Sequence, residues 1–257
     1  MNELQGRYAV VRGVARSYDR CIRPPGSSAP IDVNLARAQH DRYSATLESL
    51  GLKVILVEPD DAYPDCCFVE DTAAVIGDTA VILNPGAASR AGERSAVRAL
   101  LERYLTVREI TAPATIDGGD ILRVGDRFFV GLSGRTNHHG AEAFERLVRE
   151  KGYKSTTVEL TGILHLKSAC THIGGEHLLV AGGYFDESIF CNYQLIHVSK
   201  KDEYSANCVA VNGKVILIAG YPQTKAAVEA AGFETVELEM SEFKKGGGSL
   251  TCLSIIF

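Results

Sequence analysis

Residues 116–132 read IDGGDILRVGDRFFVGL, and this stretch contains the unit on which the fold is built. Two apolar segments rich in β-branched and aromatic residues flank Gly125-Asp126, the kind of two-residue turn that joins the strands of a tight hairpin. An amphipathic helix is predicted over residues 137–151, followed by Gly152, where a helix C-terminus favours a left-handed residue. A third strand completes a unit of strand, strand, helix and strand.

The same unit recurs along the chain, and a recurring unit decides the architecture. Hairpin turns are predicted at Gly77-Asp78, Gly174-Gly175 and Asn212-Gly213, and helices over residues 90–104 and 222–231. Residues 184–193 depart most from the pattern, although a helix is expected there as well.

The remaining unit draws its strands from both ends of the chain. A helix over residues 34–50 and a strand over residues 53–57 have no hairpin before them, and residues 8–13 and 250–257 supply the missing strands. Closing a ring in this way removes exposed sheet edges. We therefore predict an α/β fold of five pseudo-symmetric units, closed by the N- and C-terminal strands.

The composition is that of an ordinary soluble protein: 257 residues, 46% of them hydrophobic and 23% charged. The net charge is −5, and the acidic and basic residues are interspersed along the chain. No basic face of the kind that binds nucleic acid is therefore predicted. Residues 1–7 contain no apolar signal segment, and no stretch approaches the roughly 18 apolar residues of a membrane helix. We therefore expect a cytoplasmic protein with no membrane partner. Seven cysteines in such a chain indicate free thiols.

Chemically reactive side chains occur at one position of the repeat, at or just before the first hairpin strand. The five segments read FVED at 68–71, IDGGD at 116–120, LHLKS at 164–168, SANC at 205–208 and SLTC at 249–252. Equivalent positions in a ring of units converge on its axis. We therefore predict that acids, a histidine and a cysteine from distant segments share one central site.

The acids also have a simpler explanation when each is considered alone. Asp71 and Asp117 would then be strand-end carboxylates paired with Lys or Arg, because an unpaired buried carboxylate costs several kcal/mol. Glu70 and Asp65 would cap turns. Carboxylates at equivalent positions of a repeat favour a functional site instead.

Cys252 and His165 have simple alternatives too. A lone cysteine in an apolar terminal strand is usually a small buried residue, and His165 beside Leu166 would be a core histidine bonded to backbone. The three glycines at 246–248 favour a functional thiol, because they let the backbone approach a ligand closely.

Arg90 and Arg135 lie at matching positions in loops between hairpins and helices. Two such guanidinium groups suit a substrate carboxylate, which they bind through paired hydrogen bonds. No C-x-x-C, H-E-x-x-H, G-x-G-x-x-G or phosphate-loop pattern is present, so neither a metal site nor a nucleotide cofactor is predicted.

Five motifs resemble, in order, those of the dimethylarginine dimethylaminohydrolases. They are F-V-E-D-T-A at 68–73, D-G-G-D at 117–120, G-L-S-x-R-T-N at 131–137, L-H-L-K-S at 164–168 and L-T-C at 250–252. The likeness runs nearly end to end, and five motifs in order are far more specific than any one. The resemblance implies the guanidine-modifying (pentein) fold, a five-bladed α/β propeller, as a single catalytic domain of residues 1–257.

The resemblance also implies a role for each candidate residue. The catalytic residues would be Cys252 as nucleophile, His165 as general acid and base, and Asp117 as the carboxylate that orients His165. The substrate-binding residues would be Asp71 at the guanidinium, Glu70 and Asp65 in support, Arg90 and Arg135 at the α-carboxylate, and Phe68, Ser168 and Gly247. One departure is Gly247 itself, since many family members carry aspartate there.

The reaction implied by the resemblance is hydrolysis of dimethyl- or monomethyl-arginine to citrulline and dimethylamine or methylamine. It would pass through a covalent S-alkylthiouronium on Cys252 and need no cofactor. Because the charge of a guanidinium is delocalised, the enzyme must localise it, supply a strong nucleophile and protonate the departing amine. The predicted partner is a small guanidino compound, and a homodimer is left open beside a monomer.

Other functions would use a similar residue set. A hydrolase or amidinotransferase acting on arginine or another guanidino compound shares the first half-reaction. A Cys-His-Asp acyl hydrolase would need an oxyanion hole in place of carboxylates. A binding module on the same scaffold would not need Cys252 paired with His165. Arginine deiminases carry an extra helical domain that 257 residues do not accommodate, so methylated arginine is the preferred substrate.

The expected surroundings also predict the charge state of the site. Negative neighbours such as Asp71, Asp117 and Glu70 disfavour a thiolate and favour an imidazolium. We therefore expect Cys252 to be a neutral thiol in the free enzyme and His165 to titrate high.

Overall fold

The computed structural model describes residues 7–257, so the prediction made for residues 1–6 lies outside the described residues. Five three-stranded sheets account for the strands of this part of the chain. They are β1 (Tyr8–Arg12), β2 (Lys53–Val57) and β15 (Ser254–Ile256); β3 (Ala73–Ile76), β4 (Thr79–Ile82) and β5 (Thr106–Glu109); β6 (Ile121–Val124), β7 (Arg127–Leu132) and β8 (Lys154–Glu159); β9 (Cys170–Gly174), β10 (His177–Val180) and β11 (Gln194–His197); β12 (Val209–Val211), β13 (Lys214–Ile218) and β14 (Glu234–Leu238).

All five sheets share one topology, in which the middle strand pairs antiparallel with one neighbour and parallel with the other. The α/β fold with five repeated units is therefore confirmed. In the sheet that joins the chain ends, Ala9 pairs with Ile256 and with Val54. The first strand of that unit comes from the C-terminus, as predicted.

The predicted hairpin turns are present, and their backbone angles explain the residues that occupy them. Gly77 and Gly125 have φ values of 60° and 58°, and Asn212 has 47°. These left-handed values suit glycine and asparagine and match the twist of a two-residue hairpin.

Helices connect the parallel strands in four of the five units. They are α1 (Val33–Ser49), α2 (Arg94–Leu101), α3 (His138–Glu150) and α4 (Pro222–Ala230), with a short α5 (Ser241–Lys245) before the last sheet strand. Asp32 and Asn137 accept hydrogen bonds from backbone N–H groups at the starts of α1 and α3. None of these helices has the length and apolar character needed to traverse a bilayer.

Two helix predictions were wrong in detail. Residues 184–193 form a 3₁₀ turn, Glu187–Phe190, in place of a helix. The aromatic ring of Phe190 packs 4.5 Å from that of Phe129 in the neighbouring unit, so one buried ring covers the sheet where the other units use a helix face. Arg90 lies in a 3₁₀ turn before α2 and not within it.

Each unit begins with a short 3₁₀ turn before its first hairpin strand, and these turns form a continuous series. In contact order they are Thr251–Leu253, Val69–Thr72, Gly118–Asp120, Leu166–Ser168 and Lys200–Ala206. Asn207, which follows the last turn, is hydrogen-bonded to Thr251 of the first. The five segments quoted from the repeat therefore lie next to one another around one axis.

Candidate active site

Three of the predicted residues form a buried cluster at the axis. The ligand atoms of Asp71, Asp117 and His165 all lie within 4.8 Å of one another. Nε2 of His165 lies 3.1 Å from Oδ2 of Asp117, and Oδ1 of Asp117 accepts a 2.7 Å hydrogen bond from the backbone of Gly86. Oδ1 of Asp71 accepts a 2.9 Å hydrogen bond from the backbone of Gly119.

This cluster has the ligand types of a metal site, but its oxygens are already engaged. Oδ2 of Asp71 accepts a hydrogen bond from Arg90, and Asp117 uses both oxygens for Gly86 and His165. A metal ion would have to displace these bonds. The hydrogen-bond pattern therefore suits proton transfer and cation binding better than ligation.

Cys252 lies in the 3₁₀ turn Thr251–Leu253, two residues before β15 begins, so its placement inside the strand was wrong. The residue is half-buried. Its Sγ accepts a hydrogen bond from the backbone of Ser249 at 3.4 Å. A turn rather than a strand presents the thiol, because the backbone from Gly248 to Cys252 has not yet entered the sheet.

The surroundings of Cys252 favour the neutral thiol. Burial raises its pKa, and the carboxylates of Glu70 and Asp71 raise it further, to about 12. The backbone N–H of Ser249 and the ammonium group of Lys167 act in the opposite direction and are outweighed. The neutral thiol expected for Cys252 is therefore the charge state that these surroundings favour.

His165 shows the opposite balance. Burial alone would lower its pKa, but Asp71, Asp117 and Asp120 outweigh burial and raise the pKa to about 9. Burial would likewise raise the pKa of Asp71, yet His165 and Arg90 lower it to about 2. At neutral pH the site therefore contains an imidazolium and ionised Asp71 beside a neutral thiol.

Glu70 is buried within an ion pair behind the thiol. It contacts the ammonium group of Lys167, and its Oε2 accepts a 2.9 Å hydrogen bond from the hydroxyl of Thr251. Burial raises the pKa of Glu70, and Lys167 opposes that rise. The carboxylate predicted to support substrate binding is thus held from two other units.

Arg90 lies between its hairpin and α2, where the repeat placed it, but it is buried. Its side chain is 4% exposed. Nε and Nη2 donate to the carboxylate of Glu93, Nη1 donates to Oδ2 of Asp71 at 2.6 Å, and Nη2 also donates to the carbonyl of Phe68. A single Nη1 hydrogen is left for a ligand, so substrate binding by Arg90 stays a prediction.

Arg135 differs from Arg90 despite the matching repeat position. Its side chain is 16% exposed, and its Nη1 lies 3.8 Å from Oδ2 of Asp117. That distance leaves its guanidinium N–H groups available. The two arginines are therefore unequal candidates for a substrate carboxylate, and Arg135 is the better one.

Asp65 and Phe68 both lie next to Arg90, whose Nη2 is 3.5 Å from the carbonyl of Asp65 and 2.8 Å from that of Phe68. Asp65 is buried and accepts hydrogen bonds of 3.1 and 3.3 Å from the backbone of Ile22. Burial raises its pKa, and Arg90 opposes that rise. The ring of Phe68 packs edge-on against that of Tyr18, with centroids 5.8 Å apart. Both residues anchor the loop that contains Ile22.

The glycines before Cys252 leave space for the side chains of Phe68 and Pro24. A Cβ on Gly248 would lie 2.1 Å from the ring of Phe68, and one on Gly247 would lie 3.0 Å from Pro24. Gly247 has a φ of 75°, which strains any residue with a side chain. Local crowding thus explains why this chain carries glycine at 247. Ser168 is half-buried in its 3₁₀ turn.

Two further groups escaped the sequence analysis. Glu93 is 1% exposed and holds Arg90; its only signal was a carboxylate three residues after an arginine. Lys167 was within a quoted motif but received no role. Cys191 is exposed in the unit that has no helix.

Comparisons with known proteins agree with this geometry. The family model described as N,N dimethylarginine dimethylhydrolase, eukaryotic, matches residues 15–256. An N(G),N(G)-dimethylarginine dimethylaminohydrolase of Pseudomonas aeruginosa is 35% identical over 253 residues, which cover 98% of this chain and 99% of that protein.

Solved structures give the same result. A variant of the Pseudomonas aeruginosa enzyme complexed with citrulline superposes with a TM-score of 0.96 at 32% identity, covering 99% of this chain and 100% of that one. The N-terminal domain of ArgZ, a cyanobacterial arginine dihydrolase, gives a TM-score of 0.88 at 22% identity, with 97% of each chain covered. The second likeness indicates a shared fold alone.

Proposed function

Because the chain belongs to the dimethylarginine dimethylaminohydrolase family, we propose that it hydrolyses Nω-methylated arginine to citrulline and dimethylamine or methylamine. The observation that carries the proposal is the buried cluster of His165, Asp71 and Asp117, beside a turn that presents Cys252. A cationic guanidinium is the electrophile that such a negative site favours.

The covalent route is part of the proposal. When the cationic substrate binds, the thiol of Cys252 loses its proton to solvent. The thiolate Sγ then attacks the guanidinium carbon, the bond from that carbon to the methylated nitrogen breaks, and His165 donates a proton to the departing amine. The product on the enzyme is an S-alkylthiouronium. Water, deprotonated by the now neutral His165, then attacks the same carbon, the C–S bond breaks, and citrulline leaves with the thiol regenerated.

The two nitrogens of His165 have different tasks in this route. Nε2 is engaged with Asp117, which leaves Nδ1 for proton transfer. The ring packs against the backbone of Gly119, where an added Cβ would lie 2.6 Å from Nδ1. The missing side chain at 119 therefore keeps the reacting nitrogen open.

We expect Gly119→Ala to lower kcat by about 10²-fold, because displacing an acid–base group by about 1 Å costs that much. Gly134→Ala is the matched control, since a Cβ there meets nothing within 4 Å. Steady-state kinetics on dimethylarginine measure both variants. Equal activity in the two variants would show that Nδ1 of His165 is not the reacting nitrogen.

The arginines give a second expectation. Arg135→Ala should weaken the binding of an amino-acid substrate by a few kcal/mol, the scale for losing a charged partner. The binding of an alkylguanidine that lacks a carboxylate should be nearly unaffected. Arg90→Ala should weaken the binding of both ligands, because it leaves the buried carboxylates of Asp71 and Glu93 without their cationic partner. The same loss should lower the free energy of unfolding by about 3–5 kcal/mol. Competition binding and thermal unfolding test this. Similar losses for both ligands in Arg135→Ala would remove it from carboxylate recognition.

A substrate screen tests the proposed function directly. Dimethylarginine, monomethylarginine, arginine and an alkylguanidine are incubated with the enzyme, with detection of citrulline and of released amine. Citrulline from methylated arginine supports the proposal. Citrulline from arginine alone would favour a different guanidino hydrolase, and transfer of the amidino group to an added amine would favour an amidinotransferase.

The remaining predictions belong to the same proposal. Residues 1–257 would form one catalytic domain, arranged as a five-bladed propeller around the series of 3₁₀ turns. The cytoplasmic location, the absence of nucleic-acid and membrane partners, and the choice between monomer and homodimer stay predictions from the sequence.

A further inference from the structure

One segment of the repeat has no role in the proposed chemistry. Ser205-Ala206-Asn207-Cys208 occupies the position where the other units carry Asp71, Asp117, His165 and Cys252. Asn207 is 3% exposed and lies between the 3₁₀ turn Lys200–Ala206 and β12. A buried amide at the axis needs partners, and those partners indicate what it does.

Asn207 makes three side-chain hydrogen bonds to two other units. Its Oδ1 accepts from the backbone N–H of Thr251 at 3.0 Å, and its Nδ2 donates to the hydroxyl of Thr251 at 3.0 Å. Nδ2 also donates to the carbonyl of Lys167 at 2.9 Å. One planar amide therefore spans the turn that ends at Leu253 and the turn that ends at Ser168.

These are the two turns that present the reacting groups. Thr251 directly precedes Cys252, and Lys167 is two residues after His165. The network also continues from the hydroxyl of Thr251 to Oε2 of Glu70 at 2.9 Å. The backbone that carries the nucleophile and the backbone that carries the acid are thus joined through one side chain.

We propose that Asn207 is a positioning residue that sets the separation between the thiol of Cys252 and the imidazole of His165. The inference rests on the proposed function, because it assigns those two groups their roles. Asn207 itself needs no contact with the substrate. It acts by holding the two turns at a fixed separation.

Truncation of Asn207 should let the two turns shift relative to each other. Asn207→Ala leaves the N–H of Thr251 and the carbonyl of Lys167 buried without partners, and such groups draw in water or shift the backbone to satisfy themselves. Proton transfer and nucleophilic attack depend on alignment within about 1 Å. Substrate binding depends on Asp71 and Arg135, which Asn207 does not touch.

The experiment compares Asn207→Ala with Asn212→Gly. Asn212 lies in the turn of the hairpin β12–β13 of the same sheet and donates a hydrogen bond to the carbonyl of Leu50. It therefore contacts the unit that contains Thr251, but not the unit that contains Lys167. Glycine tolerates its left-handed φ of 47°. We expect kcat on dimethylarginine to fall about 10²-fold in Asn207→Ala with little change in KM, and to stay unchanged in Asn212→Gly.

A change of leaving group separates positioning from general damage. An S-alkylthiocitrulline releases a thiolate, which needs no proton in order to leave and becomes a thiol in solution, whereas an amine must be protonated as it leaves. Single-turnover thiol release should therefore fall less than amine release in Asn207→Ala. Equal losses for both substrates, or an unchanged kcat on dimethylarginine, would overturn the inference.

Variants of Thr251 keep the test valid if Asn207→Ala does not fold. Thr251→Val removes the hydroxyl at constant shape, whereas Thr251→Ser retains it. We expect Thr251→Ser to restore the turnover that Thr251→Val loses, and equal activity in the two would contradict the proposal. Absence of citrulline formation by the wild type would refute the proposed function instead, so the two failures are distinguishable.

Discussion

Replacing Cys252 by alanine is expected to lower turnover of methylated arginine by about 10⁴-fold or more, the scale for removing a catalytic nucleophile. No other thiol can substitute, because Cys191 lies exposed in a different unit and the other five are buried: Cys21, Cys66, Cys67, Cys170 and Cys208. Substrate binding should persist, since Asp71 and Arg135 are unchanged. Calorimetry measures the binding, and citrulline release measures the turnover.

Cys191→Ala is the matched control for this loss. It removes an exposed thiol without touching the axis and should leave kcat and KM unchanged. Mass spectrometry of quenched wild-type reactions should detect the S-alkylthiouronium adduct on Cys252, and none in Cys252→Ala. Residual turnover of more than about one percent in Cys252→Ala would mean that the nucleophile is another group, since general acid–base help alone contributes only about 10² to 10⁴.

A cationic ligand is expected to accelerate alkylation of Cys252 by about 10²-fold at neutral pH. In the free enzyme burial, Glu70 and Asp71 raise the pKa of the thiol to about 12, so little thiolate is present. A positive charge about 6 Å from the sulfur, at an effective dielectric near 20, is worth roughly 3 kcal/mol or two pKa units. It favours the thiolate, so the pKa falls and the alkylation rate rises tenfold for each unit.

The measurement is the pH dependence of alkylation by a small neutral reagent, with and without a slow cationic amidine that leaves Sγ accessible. A Cys191→Ala background removes the exposed thiol that would otherwise react first. His165, with a pKa raised to about 9, should remain an imidazolium throughout the neutral range. If alkylation in the free enzyme already titrates below about pH 7, the thiolate–imidazolium pair is preformed. That result would contradict the prediction that a bound cation is needed to lower the pKa of the Cys252 thiol.

Local features let the sequence predict most of the fold. Gly77, Gly125 and Asn212 mark hairpins because a two-residue turn requires left-handed backbone there. Gly152, with a φ of 79°, ends its helix for the same reason. Repetition of that local pattern then fixed the number of units. It failed at residues 184–193, where burial of Phe190 against Phe129 replaced a helix face, and no local signal encodes such a contact.

The sequence by itself determined the five-unit repeat, the joining of the chain ends in one sheet, and the residue types that meet at the axis. Only the tertiary structure decided how those residues are paired: Arg90 is held by Glu93 and Asp71, and Asn207 bridges the turn that contains Cys252 and the turn that follows His165. The reason is that turns and helix ends depend on neighbours in the chain, whereas hydrogen-bond partners and pKa shifts depend on distances of a few ångströms and on burial between distant segments.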